Sequence, residues 1–293
     1  MKKSIRKWLI PLGAMLALAL VLASCSGTPL SGSFKIIGSN TLTPLSSAWA
    51  EDFMAANSNV SISVSGPGTG PGIAALIDGT TDICQASRPI TQNETAQAEA
   101  KGVHPYEIHV ANDGLSVVVN PSNNVSELTT AQLSAIYTNQ ITNWQEVGGS
   151  NAPVVVLSRD TSSGSHDFFL QRVVQMQGLP TQNTTLQYGP EVLFLPSTEA
   201  GVTEVAQNPN AIFYAGLAYV TSQVKTVALK KTASDPAILP SKETVLDGTY
   251  YLARPLFYYT NGEPTGLIKE FVDYCLSSAG QEKVSEVGYI PLA

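Results

Sequence analysis

Short β-branched runs alternate with amphipathic stretches along most of the chain. SFKIIG (33–38) predicts a strand, and VSISVSG (60–66), with apolar and polar residues alternating, predicts another. Between them, PLSSAWAEDFMAAN (44–57) carries Leu45, Trp49 and Phe53 at i, i+4 and i+8, with Pro44 in the first turn, which predicts a helix buried along one face. GIAALIDG (72–79) predicts a short helix and TDICQAS (81–87) a strand. In ELTTAQLSAIY (127–137), Thr129 and Gln132 have the spacing of a capping box, with Leu128 and Leu133 as its hydrophobic staple. VVVLSR (154–159) predicts a strand and HDFFLQRVVQ (166–175) the helix after it. This β-α-β-α order predicts α/β sheets. NDGLSVVVNPS (112–122), a long apolar strand ending in Asn-Pro, is the candidate for a crossing into a second lobe. A return is expected within AIFYAGLAYVTSQVKTVAL (211–229), after which YYLARPLFYYT (250–260) and a C-terminal helix rejoin the first lobe. A chain split in this way implies a hinge and a cleft.

The N-terminus departs from this pattern. MKKSIRK is basic, and the apolar run WLIPLGAMLALALVLA has about the length of a signal-peptide core. Leu22-Ala23-Ser24-Cys25 then places a cysteine directly after small residues, which resembles the lipobox of bacterial lipoproteins; in that family the chain is cut before the cysteine and the thiol is acylated. The other reading is an uncleaved membrane anchor. Either places the remainder outside the cytoplasm. SGTPLSGS after Cys25 has the small, polar composition of a flexible tether. Cleavage would remove Lys2, Lys3, Arg6 and Lys7 and no acidic residue, so the mature chain is more acidic than the −7 of the full sequence. That charge argues against nucleic acid and anionic membrane surfaces as partners. It also means that an anion bound here must be held by local donors. Cys84 and Cys275 are left; a bridge between them is compatible with an oxidising compartment. Cys275 nevertheless lies on the apolar stripe Leu267, Ile268, Phe271, Val272, Cys275, Leu276, as a small core residue would.

The chemistry concentrates in three loops, each between a strand and a helix: GSNTLTP (38–44), GPGTGPG (66–72) and SSGS (162–165). Each brings glycine and hydroxyl residues to a helix N-terminus, where unpaired N–H groups and the helix dipole favour anions. Arg159, with a guanidinium fork suited to oxyanions, opens the third loop. The rival reading makes Ser163 or Ser165 a nucleophile and His166 its base. Partners in a catalytic triad normally come from distant segments, and no G-x-S-x-G elbow is present. His166 is expected in the first turn of its helix, facing out or capping. His104 and His109 fit no metal-ligand spacing, and neither metal nor cofactor is expected.

These loops, together with DICQASRP, LTTAQLSAIYTNQITNWQEVGG, VLSRDTSSGSHDFF and the RPLFYYTNGEPTGLIKEFVDYC end, resemble the phosphate-binding lipoproteins of bacterial phosphate ABC transporters over roughly 33–293. The resemblance implies a type II periplasmic-binding-protein-like fold, with two α/β lobes joined by two crossing strands and the ligand in the cleft. It divides the chain into a lipoprotein signal peptide (1–24), a tether (25–32), lobe I (33–118 and 226–293) and lobe II (119–225). It implies that lobe I supplies Thr41, Leu42 through its backbone N–H, Thr69 and Ser87, with Ser39 and Asn40 as alternatives from the first loop. Lobe II would supply Arg159, Ser163, Gly164 and Ser165. The implied partners are inorganic phosphate, the permease subunits and the membrane through lipid on Cys25, with the protein itself a monomer. One departure stands out. Some members carry an aspartate that accepts the proton of hydrogen phosphate, where this chain has Ser87. A carboxylate there rejects fully ionised sulfate, because an oxygen without a proton loses a hydrogen bond and meets repulsion. Asp113 is the candidate replacement, ahead of Asp160 and Asp167, and its other reading is a turn residue before glycine. Arg88 either adds charge to the cleft or forms a surface ion pair. The same fold holding sulfate, molybdate or tungstate, a surface serine hydrolase, and a sensing or adhesion role remain the alternatives.

Overall fold

The computed structural model describes residues 29–292. The segment expected to be a signal peptide (1–24) and Cys25 lie outside the described residues. The strand begins at Ser31, so the last two residues assigned to the tether already belong to the sheet.

Strands are β1 (Ser31–Gly38), β2 (Asn59–Ser65), β3 (Ile83–Ala86), β4 (Pro105–Val119), β5 (Glu127–Thr129), β6 (Val155–Arg159), β7 (Leu193–Leu195), β8 (Ala211–Gly216), β9 (Lys225–Thr226), β10 (Ala228–Lys230) and β11 (Ala253–Asn261). Helices are α1 (Thr43–Ala56), α2 (Thr69–Ile77), α3 (Gln92–Ala100), α4 (Thr130–Tyr137), α5 (Gly164–Phe169), α6 (Thr198–Gln207), α7 (Lys242–Leu246), α8 (Gly266–Leu276) and α9 (Ser278–Glu286). The main sheet runs β2-β1-β3-β11-β4-β8-β6-β7, with β9 also on β4, while β5 and β10 pair separately.

One strand serves both lobes. β4 has 15 residues and is therefore about 50 Å long. Its first part pairs with β11 (Asn261↔Pro105 to Ala253↔Gly114), and Leu115–Val119 pair with β8. From Val110 to Val119 only Asn112, Asp113 and Ser116 interrupt the apolar run with polar side chains, as expected of a strand covered on both faces. Two main cores flank it. The first gathers Phe34, Ile36, Trp49, Phe53, Leu256 and Phe271; the second gathers Val117, Leu133, Trp144, Phe169, Ile212 and Tyr214.

The helix pattern explains much of the packing. Leu45, Trp49 and Phe53 of α1 are all buried, and the Trp49 indole donates to the Gly280 carbonyl of α9 at 2.8 Å. Thr129 and Gln132 form the reciprocal capping box of α4, and Leu128 and Leu133 are both buried beside it. Cys84 and Cys275 are free, buried thiols. They lie in different apolar clusters, Cys275 on the inner face of α8.

The return crossing differs from the expectation. Residues 226–252 do not rejoin the first lobe: Val227, Leu229, Val245, Tyr250 and Leu252 pack into the second core. The chain crosses back only at Ala253, opposite Gly114. The apolar run 211–216 is β8, a central strand with all six residues buried between β4 and β6. In sequence, such a strand has the same continuous apolarity as a crossing strand. A second difference lies after SSGS. The helix starts at Gly164, not His166, and after Phe169 widens into a π-turn over Leu170–Val174. His166 is buried against the Tyr188 ring, 4.8 Å between centroids, rather than facing out.

Candidate functional site

The loops after β1, β2, β3 and β6 meet where the lobes press together. Gly38 has φ +152°, and a Cβ there would lie 2.0 Å from the Gln85 carbonyl oxygen, so only glycine lets the first loop cross β3. Ser39 is fastened beside it: its amide donates to Gln85 O (2.7 Å) and its carbonyl accepts from the Gln85 amide group (3.0 Å). Thr69 opens α2, and its hydroxyl lies 3.3 Å from both the Ser87 hydroxyl and the Ser87 amide. From the other lobe, Ser163 caps α5 and accepts from the Ser165 amide at 3.2 Å.

Several contacts join the lobes. The Thr41 and Ser165 hydroxyls are 3.1 Å apart, and the Gly70 amide donates to Ser162 O at 3.3 Å. Gly164 is another close approach, where a Cβ would meet Ser87 Oγ and Thr69 Oγ1, both at 2.6 Å. Thr41, Thr69, Ser87, Ser163 and Ser165 are all buried. Asn40 also spans the joint, its side-chain oxygen accepting from Arg159 Nη1 (3.2 Å) and from the Thr198 amide (3.1 Å).

Arg159 is 1 % exposed. Its guanidinium donates to Leu195 O (3.3 Å), Pro196 O (2.9 Å), Thr198 Oγ1 (2.9 Å) and Asn40 Oδ1. All four acceptors are neutral, and burial pulls its pKa down. A buried guanidinium without a carboxylate is costly unless an anion completes it. The nearby Asp160 carboxylate is turned to the Ser162 amide and hydroxyl.

Other expected residues are placed differently. The Leu42 amide is used within its own turn, donating to Ser39 O at 3.1 Å, and the Leu42 side chain lies in the first core. Arg88 lies beside the cleft in ion pairs. It donates to both oxygens of Glu94 (2.8 Å each) and to Asp167 of the opposite lobe (3.0 Å). The hydrogen bond to Glu94 pushes Arg88 up; burial would raise Glu94, but Arg88 and Thr91 bring it below the ordinary carboxylate range. Asp113 is fully buried but does not face an open acceptor position. Its Oδ2 accepts from Arg254 Nε (3.1 Å) and Nη2 (2.9 Å), and its Oδ1 from the Leu217 amide (3.2 Å). Burial raises its pKa, against the pull of Arg254. The pairing of Ser163 or Ser165 with an imidazole has no counterpart: His166 Nδ1 contacts Asp167 Oδ1 at 3.1 Å, while the Ser165 hydroxyl faces Thr41 and Arg254. Among the described residues, no three His, Cys, Asp or Glu side chains gather to hold a metal.

Arg254 is the residue that sequence reasoning passed over. It is 3 % exposed, and Nη2 also donates to Ser165 Oγ at 2.9 Å. The signal was a lone arginine inside the apolar strand LARPLFYY, since buried charges are nearly always paired.

Two α/β lobes on a double-strand hinge, closing on a joint of hydroxyls and buried guanidinium groups, make a two-lobed solute-binding protein. The chain belongs to the PBP superfamily, whose domain profile matches residues 23–279, and within it to the family of the PstS phosphate-binding proteins. It is 35% identical to the protein SphX of Synechococcus elongatus over 268 residues, 87% of this chain and 76% of that one. It is 30% identical to the phosphate-binding protein PstS of Staphylococcus epidermidis, over 97% of this chain and 89% of that one. Among solved structures, a putative phosphate ABC transporter substrate-binding protein from Clostridium perfringens, with bound phosphate, superposes with a TM-score of 0.76 at 30% identity. That match covers 89% of this chain and 100% of the other.

Proposed function

We propose that this protein captures inorganic phosphate between its lobes outside the cytoplasm and delivers it, chemically unchanged, to the permease of an ABC transporter. The observation that carries this reading is Arg159, buried with only neutral acceptors around it. A tetrahedral dianion supplies the missing charge, and the Thr41, Thr69, Ser87, Ser163 and Ser165 hydroxyls are neutral donors of the right kind around it. The lobe-to-lobe contacts at Thr41, Gly70 and Gly164 are those that ligand-driven closure would favour. Cys25 would carry the lipid that keeps the monomer at the membrane. Calorimetric titration of anion-free protein with phosphate tests the reading; no heat and no shift in thermal midpoint would overturn it.

A second oxyanion is favoured by one observation. Both oxygens of Asp113 are already engaged, so this carboxylate is not free to accept a ligand proton. Serine hydroxyls accept or donate as they rotate and do not reject an unprotonated oxygen. Sulfate, titrated in the same experiment, should therefore bind measurably. Its complete exclusion would show that an acceptor group faces the ligand after all.

A further inference from the structure

The two crossing strands carry a charge pair of their own. Arg254 on β11 and Asp113 on β4 are direct register partners, and both are buried. The carboxylate holds the Nε and Nη2 edge of the guanidinium. The remainder points into the joint between the lobes: Nη2 reaches Ser165 Oγ of one lobe, and Nη1 reaches Ser87 O of the other at 3.4 Å, a long and weak bond. The Phe168 ring lies 5.4 Å from the guanidinium carbon, which limits sideways movement. Asp113 is held in turn from the second lobe, through the Leu217 amide. Gly216 makes room for it, since a Cβ there would stand 2.9 Å from Oδ2.

A purely structural ion pair needs no such geometry. A carboxylate satisfies one edge of a guanidinium, and the opposite edge here lies among the hydroxyls assigned to the oxyanion. We infer that Arg254 is a second ligand-binding guanidinium, reaching the oxyanion from the hinge, with Asp113 as its positioning residue. This rests on the oxyanion-binding reading and adds a third source of contacts beside the two lobes. It also gives Asp113 a task other than accepting a ligand proton: it holds Arg254 in one rotamer and offsets its charge when the cleft is open. The ligand then touches the hinge itself, so binding and closure are coupled through one side chain.

The test uses the full-length protein, freed of carried-over anion by denaturation, dialysis and refolding, with inorganic phosphate as the probe. Arg254→Gln alone leaves Asp113 buried without its partner and is expected to lower the thermal midpoint. The double variant Asp113→Asn with Arg254→Gln removes both charges and should restore most of that loss. If Arg254 contacts the ligand, the double variant still binds phosphate about 10- to 100-fold more weakly than wild type, the range for a charge-assisted hydrogen bond. Recovery of wild-type affinity together with the thermal midpoint would reduce the pair to a structural one and overturn the inference. A double variant that stays unfolded is replaced by Arg254→Lys, which keeps the charge but loses the fork. Undiminished phosphate affinity in that variant would also overturn the inference. Wild-type protein that binds no phosphate would overturn the underlying reading instead, so the two failures are distinguishable.

Discussion

Gly164→Ala is the most direct perturbation of the closed state. The added methyl would stand 2.6 Å from both Ser87 Oγ and Thr69 Oγ1 and 3.2 Å from Arg88 Cγ, against 3.4 Å or more for ordinary contact. The lobes would have to part by about 0.8 Å at this point, or the two hydroxyls would have to rotate away. Rotation breaks the Thr69 contacts with Ser87 and turns both groups from the ligand. Either response falls on closure and not on the folding of a lobe, because the obstructing atoms lie across the cleft. Overpacking of this kind costs about 1–3 kcal/mol, which is roughly 5- to 150-fold in Kd. The lobe itself should not suffer, since Gly164 is in the first turn of α5 with no left-handed φ, and alanine is the better helix former by about 1 kcal/mol. Phosphate calorimetry and a thermal melt of the anion-free protein would be measured on the same sample. Affinity within twofold of wild type would refute the claim that this joint closes on the ligand.

Three further outcomes are expected. Arg159→Ala should weaken phosphate binding by at least about 30-fold, from the 2–5 kcal/mol typical of removing one side of a buried charge pair; unchanged affinity by calorimetry would remove Arg159 from the site. Trp49→Ala should cost about 3–5 kcal/mol of stability in lobe I, because the fully buried ring also anchors α9 through Gly280; denaturant unfolding measures it, and a loss under 1 kcal/mol would contradict the packing argument. Glu94 is held below its ordinary pKa of 4.5, so the stability that it lends is present above that pH and is lost as pH falls through its lowered value. Glu94→Gln should therefore melt earlier than wild type near neutral pH and match it in strong acid; a gap that persists or widens in acid would reverse the sign.

Sequence periodicity reached much of the local structure. Leu45, Trp49 and Phe53 had to share a face, Thr129 with Gln132 had to begin a helix, and NDGLSVVVNPS read as a long apolar strand crossing between lobes. Loop composition drew attention to 66–72, 162–165 and Arg159, family likeness added Ser87, and the structure gathers Thr69, Ser87, Arg159 and Ser163–Ser165 at one joint. These features depend on neighbours in the chain or on motifs, so a linear reading reaches them. Where the chain returned to the first lobe was not of this kind. β8 and a crossing strand bury the same residues, and only their pairing partners differ. The partner of Asp113 was likewise hidden, because Arg254 lies 141 residues away and meets it only through the antiparallel register of β4 and β11. Even the Leu42 amide, a plausible donor by motif, was claimed by the turn at Ser39. Apolar pattern decides which residues are buried, but the pairing of strands decides which buried polar groups face one another. In this protein that pairing gives the Arg254 guanidinium a carboxylate, while Arg159 is met by neutral acceptors alone.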